Sequence, residues 1–104
     1  MPSFTISLTD SSVHNLRDLL KAAKVAPAYE FGSLLILADK DNGAKTLYVG
    51  GPDLDMTSSI FSYSLGAAAS RLYPPVPLGS PRIYTSTIYV QASDDLVFHV
   101  EGTY

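Results

Sequence analysis

Aspartates and histidines are the residues of this chain best suited to chemistry, and their spacing decides what chemistry is open to them. Asp39-Lys40-Asp41-Asn42-Gly43 has the alternating acids of a calcium loop. In such a loop the glycine stands sixth and a glutamate closes the twelfth position. Here Gly43 comes one place early and no glutamate follows at the closing place, so the segment reads as a plain turn. Asp53 and Asp55 flank Leu54 in a loop, and Asp94-Asp95 sits in a turn. Paired carboxylates do acid–base work only where a pocket pushes one pKa away from the other. Turn aspartates in water have no such pocket. His14 and His99 are the two histidines. Two imidazoles in unrelated settings do not supply the three or four ligands of a zinc site. The serines include no G-x-S-x-G elbow, and Gly50-Gly51-Pro52 is not followed by the Lys-Ser or Lys-Thr of a phosphate loop. There is no cysteine, which excludes disulfides and thiolate metal sites. The residues therefore predict no enzyme, no cofactor and no metal.

Composition points the same way. With 104 residues the chain has room for one domain, spanning residues 1–104, and for one core. The apolar fraction is 46% and the charged fraction only 16%. A free-standing domain usually carries about 25% charge, so the low value predicts that part of the surface is covered by a partner. Net charge is −3 with scattered Lys and Arg. That predicts no nucleic-acid partner, which would need a basic stripe. No apolar run is long enough to span a membrane as a helix. The start, Met1 to Thr5, lacks the basic and apolar regions of a signal peptide, which fits synthesis in a cytoplasm.

The elements that must position these residues are mostly strands. Phe4, Ile6 and Leu8 alternate with Thr5, Ser7 and Thr9, a half-buried strand. Asp10, Ser11 and Ser12 offer helix caps. Val13, Leu16, Leu19, Leu20 and Ala23 then share one helical face, with Lys21 and Lys24 in the last turn and Pro27 beyond. A single helix is predicted over Ser12–Lys24. Leu34 to Leu37 is a continuous apolar run of strand length. The turn Asp41-Asn42-Gly43 predicts a hairpin joining Leu34–Ala38 to Thr46–Val49, because Asn-Gly tolerates positive φ. Ile60 to Leu65 alternates again, before Ala67-Ala68-Ala69. Tyr73 to Pro81 holds four prolines in nine residues and is an extended connection or a blunted edge. Arg82 to Tyr84, Thr87 to Ala92 and Leu96 to Glu101 complete the strands. In the last, Leu96, Phe98 and Val100 share one face. Six or seven short strands predict a mainly β domain, an antiparallel β-sandwich or jelly-roll-like barrel with one short N-terminal helix.

Seven tyrosines are many for this length. A rigid ring buries area at small entropic cost, so tyrosines on a sheet suit an interface. The interface candidates are Tyr29, Tyr63, Tyr73, Tyr84 and Tyr104, with Phe4 and Ile6 on an N-terminal strand able to pair with another chain.

Three segments in order resemble a family of small virion proteins. They are the helix Asn15-Leu16-Arg17-Asp18-Leu19-Leu20, and the pair Leu34–Ala38 and Thr46–Gly50 with its Leu-Tyr-Val-Gly ending before Pro52-Asp53-Leu54-Asp55. The third is the C-terminal pair Ser86–Ser93 and Asp95–Gly102. Together they look like the β-sandwich, often jelly-roll-like, head decoration or cement proteins of tailed bacteriophages. Tyr63 to Ala69 and the proline run stand where relatives often place a Gly- and Leu-rich stretch with an acidic residue. The resemblance implies an oligomer, often a trimer, on the outer surface of the virion head, bound to the major capsid protein. Other classes open to such a chain are a head fibre or tail-associated module, and a host- or carbohydrate-binding domain.

Overall fold

The structure is a computed structural model, and it describes residues 3–22, 30–73 and 83–103. The strands are β1 (Ser3–Leu8), β2 (His14–Asn15), β3 (Glu30–Phe31), β4 (Ser33–Ala38), β5 (Leu47–Gly50), β6 (Tyr63–Leu65), β7 (Ser70–Tyr73), β8 (Ile83–Tyr84), β9 (Tyr89–Ala92) and β10 (Leu96–Thr103). One helix, α1 (Leu16–Ala22), follows β2, and 3-10 turns occupy Lys40–Asn42 and Thr85–Thr87.

The pairing is nested. β1 pairs with β10, β2 with β9, β3 with β8, β4 with β7 and β5 with β6, all antiparallel. The chain is thus a long double-stranded ribbon folded back on itself. Two further ladders, β10 with β4 and β9 with β5, roll that ribbon up. The result is sheet A, in the order β1-β10-β4-β7, and sheet B, in the order β2-β9-β5-β6, with β3 and β8 as a separate small ribbon. This is a β-sandwich with jelly-roll strand order.

The core lies between the sheets. Sheet A contributes Ile6, Leu8, Leu34, Ile36, Ala38, Leu96, Phe98 and Val100. Sheet B contributes Leu47, Val49, Leu65, Val90 and Ala92. The alternation that predicted the face of β10 holds: Leu96, Phe98 and Val100 are buried, while Val97, His99 and Glu101 are half-exposed on the other side. Leu16 and Leu20 of α1 complete the core, and Leu19 packs beside them.

Three expectations are corrected. The hairpin from Leu34–Ala38 to Thr46–Val49 does not form, since β4 belongs to sheet A and β5 to sheet B. The segment between them crosses from one sheet to the other. Asp39 opens it by accepting the Asp41 N–H at 2.8 Å. Asn42 then docks on β10: its Nδ2 donates to the Val97 carbonyl (2.9 Å), and the Val97 N–H donates to its Oδ1 (3.1 Å). Gly43 has φ +65° and ψ −125°, which leaves glycine as the fitting residue. The positive φ expected of the Asn-Gly pair is present at Gly43, but the segment makes an arch and not a hairpin. Ser93-Asp94-Asp95 makes the same kind of crossing between β9 and β10.

The helix begins later than Ser12. Asp10 captures the Ser12 N–H and hydroxyl, and His14–Asn15 pairs with Val90 and Tyr89 of β9. Asn15 becomes the cap, its Oδ1 accepting the Arg17 N–H at 3.0 Å. Val13 is consequently exposed. The expected last turn at Ala23 and Lys24 lies outside the described residues, as does the proline run from Pro74 to Pro81.

The remaining strands are shorter and more numerous than expected. Only Tyr63–Leu65 of the Ile60 stretch is strand, with Ile60 bridged to Asp55. In the Thr87 stretch the strand starts at Tyr89. Two-residue pieces such as His14–Asn15, Glu30–Phe31 and Ile83–Tyr84 leave no periodic trace long enough to read.

Candidate interaction surface

The two sheets treat their outer faces differently. On sheet B, Gln91 points outward from β9 yet is buried, because neighbouring loops cover it. Its Oε1 accepts the Met56 N–H and its Nε2 donates to the Ser11 carbonyl, both at 2.9 Å. Leu54 is buried over Gly50, where a Cβ would meet Leu54 and the backbone of Phe61 and Ser62 at 3.3 Å. The Phe61 ring packs on Tyr48 with centroids 4.8 Å apart. The segment from Gly51 to Ser62 is therefore a flap that covers much of this face.

No such flap crosses sheet A among the described residues. Leu34, Ile36 and Ala38 of β4 face the core, so Leu35 and Leu37 must face out. Leu35 stands opposite Leu72 of β7, which is 56% exposed, and Val97 of β10 lies on the same outer face. A four-residue run of aliphatic side chains in a sheet with one covered face leaves every second one outside.

Polar groups cross the same face. His99 of β10 stands between Thr5 of β1 and Leu37 of β4. Its Nε2 is 2.7 Å from Asp39 Oδ2, and its Nδ1 is 3.0 Å from Thr5 Oγ1. With Asp39 ionised, Nε2–H donates to the carboxylate, and in the neutral ring Nδ1 accepts the Thr5 hydroxyl. The Asp41 N–H, and next the bond from His99, hold the Asp39 carboxyl below the usual carboxylate range. The hydroxyl–imidazole–carboxylate order resembles a hydrolase triad. However, the hollow of about 260 Å³ beside the ring is lined by Leu37, Ala38, Asp39, Lys40, Ala68 and His99, and Thr5 lies outside it on the open face of β1. The chain of bonds is well placed to tie β1, β10 and the β4–β5 arch together. His14, the other histidine, sits beside Asp10 at 2.9 Å. Asp10 also accepts the Ser12 hydroxyl at 2.6 Å, and these bonds pull its carboxyl down to about 2, the hydroxyl contributing most.

The aromatic candidates divide. Tyr63 of β6 and Tyr73 of β7 face inward at the open side of the sandwich, where their hydroxyls meet at 2.7 Å. Burial pushes both phenols up, so both are neutral. Arg71 lies over both rings, 5.2 Å from the Tyr63 centroid and 6.0 Å from that of Tyr73. This cluster closes the seam between sheets A and B. Ile6 is in the core and Phe4 is half-buried against it. Tyr84 is 45% exposed on β8. Tyr29 and Tyr104 lie outside the described residues.

Sequence reasoning passed over Leu35, Leu37, Leu72 and Val97 as surface residues. The signal was present in the unbroken Leu34–Leu37 run beside a single helix, since one short helix cannot cover a sheet. Neither a family model nor a curated protein nor a solved structure matches the chain.

Proposed function

We propose that this chain is a structural protein of a virus particle. In this reading it is a decoration protein that sits, as an oligomer, on the outer surface of a tailed-phage head and binds the major capsid protein without catalysing a reaction. The observation that carries the proposal is the outer face of sheet A, which no described segment crosses and where exposed Leu72 stands beside half-buried Leu35, Leu37 and Val97. Sheet B has its own flap. A sheet face that mixes aliphatic side chains with polar ones, in a chain of low charge, suits attachment to a larger protein surface. Jelly-roll domains serve capsids and lectins alike, so the fold agrees with the reading but does not select it. The sequence resemblance supplies the choice of a phage head.

The test is a count and a substitution. Purified particles of the phage that encodes this chain should carry it in hundreds of copies, bound to the shell. Leu72→Asp should fold normally and lose most shell binding. A few copies that copurify with tails would make it a tail module. Glycan binding by the free protein, with no affinity for shells, would make it a lectin. Either result overturns the head assignment.

A further inference from the structure

The two main sheets have four edges, and three of them carry their own protection. β2 and β6 are only two and three residues long, and a short edge is a poor template for another chain. β7 places Arg71 at its edge, opposite the inward-facing Ile36, and an inward-turned charge is another device against edge pairing. β1 has neither device. It runs six residues, Ser3–Leu8, with no charge and no proline, in an unbroken ladder with β10, and among the described residues no strand pairs with its other side. Such an edge invites a further strand.

We propose that β1 is a self-association edge: two copies of this chain pair β1 to β1, antiparallel about a twofold axis, and sheet A continues across both. In a twofold pair each strand meets its own sequence, so a charge near the centre would face its like. The absence of charge from Ser-Phe-Thr-Ile-Ser-Leu is what self-pairing requires. Side-chain alternation restricts the register, because core residues of both copies must fall on one side of the joined sheet. A register with Thr5 opposite Thr5 meets that demand. It brings two hydroxyls together on the outer face, a favourable cross-strand pair. On the inner face it sets Phe4 of one copy, half-buried when alone, opposite Ile6 of the other. The joined outer face carries the leucines of both copies, so one pair attaches at two places and gains avidity. This inference deepens the decoration reading by naming the contact that makes the oligomer, a pair where the resemblance implies a trimer. The experiment uses the free chain, so its failure leaves shell binding to be judged separately.

Sedimentation of the full chain at micromolar concentrations should show a dimer. Ser7→Lys and Thr5→Lys, both at exposed positions, should each give a folded monomer, with far-UV circular dichroism unchanged, whereas Thr5→Val, which loses the same bond to His99 without adding charge, should stay dimeric. If one lysine variant fails to fold, the other carries the test. The chain has no cysteine, so crosslinking can be read cleanly. Directly opposite residues in an antiparallel pair have Cα atoms about 4.5–5.5 Å apart, within the span of a disulfide, about 4.4–6.8 Å. Oxidised Thr5→Cys should therefore run as a covalent dimer, while Ser70→Cys on β7 should not. A monomeric parent with uncrosslinked Thr5→Cys would overturn the proposal. So would a dimer that survives both lysine variants, or pairing of β1 with a shell segment alone.

Discussion

Gly102 is the position where one added methyl group should be felt most. It lies on β10 opposite Leu34 and is buried. Its φ is not in the left-handed region, so conformation alone does not demand glycine there. Space does. A Cβ at Gly102 would stand 2.5 Å from Cδ1, 2.8 Å from Cε1 and 3.2 Å from Cγ of Phe31, whose side chain is fully buried. Carbon atoms in contact prefer about 3.5–4.0 Å, so the ring must retreat by about 1 Å into packed surroundings. Overpacking of this kind costs about 1–3 kcal/mol. Replacing glycine within a strand recovers about 0.5 kcal/mol of backbone entropy, which leaves Gly102→Ala destabilised by about 0.5–2.5 kcal/mol. At this chain length that corresponds to a fall in Tm of roughly 4–8 °C per kcal/mol. Urea unfolding followed by far-UV circular dichroism measures it. Phe31→Leu alone should also destabilise, by leaving a gap. In Gly102→Ala/Phe31→Leu the smaller side chain makes room for the methyl, so the double variant should be more stable than the sum of the two losses. A Gly102→Ala protein as stable as the parent, or a strictly additive cycle, would refute the packing argument.

Other outcomes follow from the hydrogen bonds. Asn42→Ala should lose about 1–2 kcal/mol, since it takes the acceptor from the Val97 N–H and one of two donors from the Val97 C=O, which keeps the Asp39 N–H; an unchanged urea midpoint would show that the arch is not pinned there. Tyr63→Phe and Tyr73→Phe should each cost about 1 kcal/mol by leaving one inward hydroxyl unpaired, while the double variant should cost less than their sum. Additive losses in thermal melts would sink that account. Asp10 should titrate at about 2 when followed by NMR, and His14→Ala should raise that value. Its folded pKa lies below the ordinary 3.8, so its contribution to stability is complete above that pH and is lost as pH falls through about 2. An ordinary Asp10 titration in the folded protein would remove the contribution.

The period-two alternation of Phe4, Ile6 and Leu8, and of Leu96, Phe98 and Val100, was enough to say which side chains enter a core. It depends only on the pleat, and in the structure five of those side chains are buried in the core while Phe4 is half-buried against it. Leu16 and Leu20 were legible for a similar reason, since helical spacing is local. The sandwich class followed from the number of short strands separated by turn residues. Pairing partners were not legible. Asn42-Gly43 supplies the same backbone freedom to a tight hairpin and to an arch between sheets. The choice was made by Val97, fifty-five residues away, whose backbone takes up the Asn42 amide. Nor could spacing tell which tyrosines face in. Tyr63 and Tyr73 point inward because Val49 and Leu34, their partners in register, do so. The outward-facing leucines of sheet A are also a tertiary outcome. Leu35 and Leu37 are chemically the same as buried Leu34. They stand outside because each strand has two faces, and the only helix of the described residues packs elsewhere.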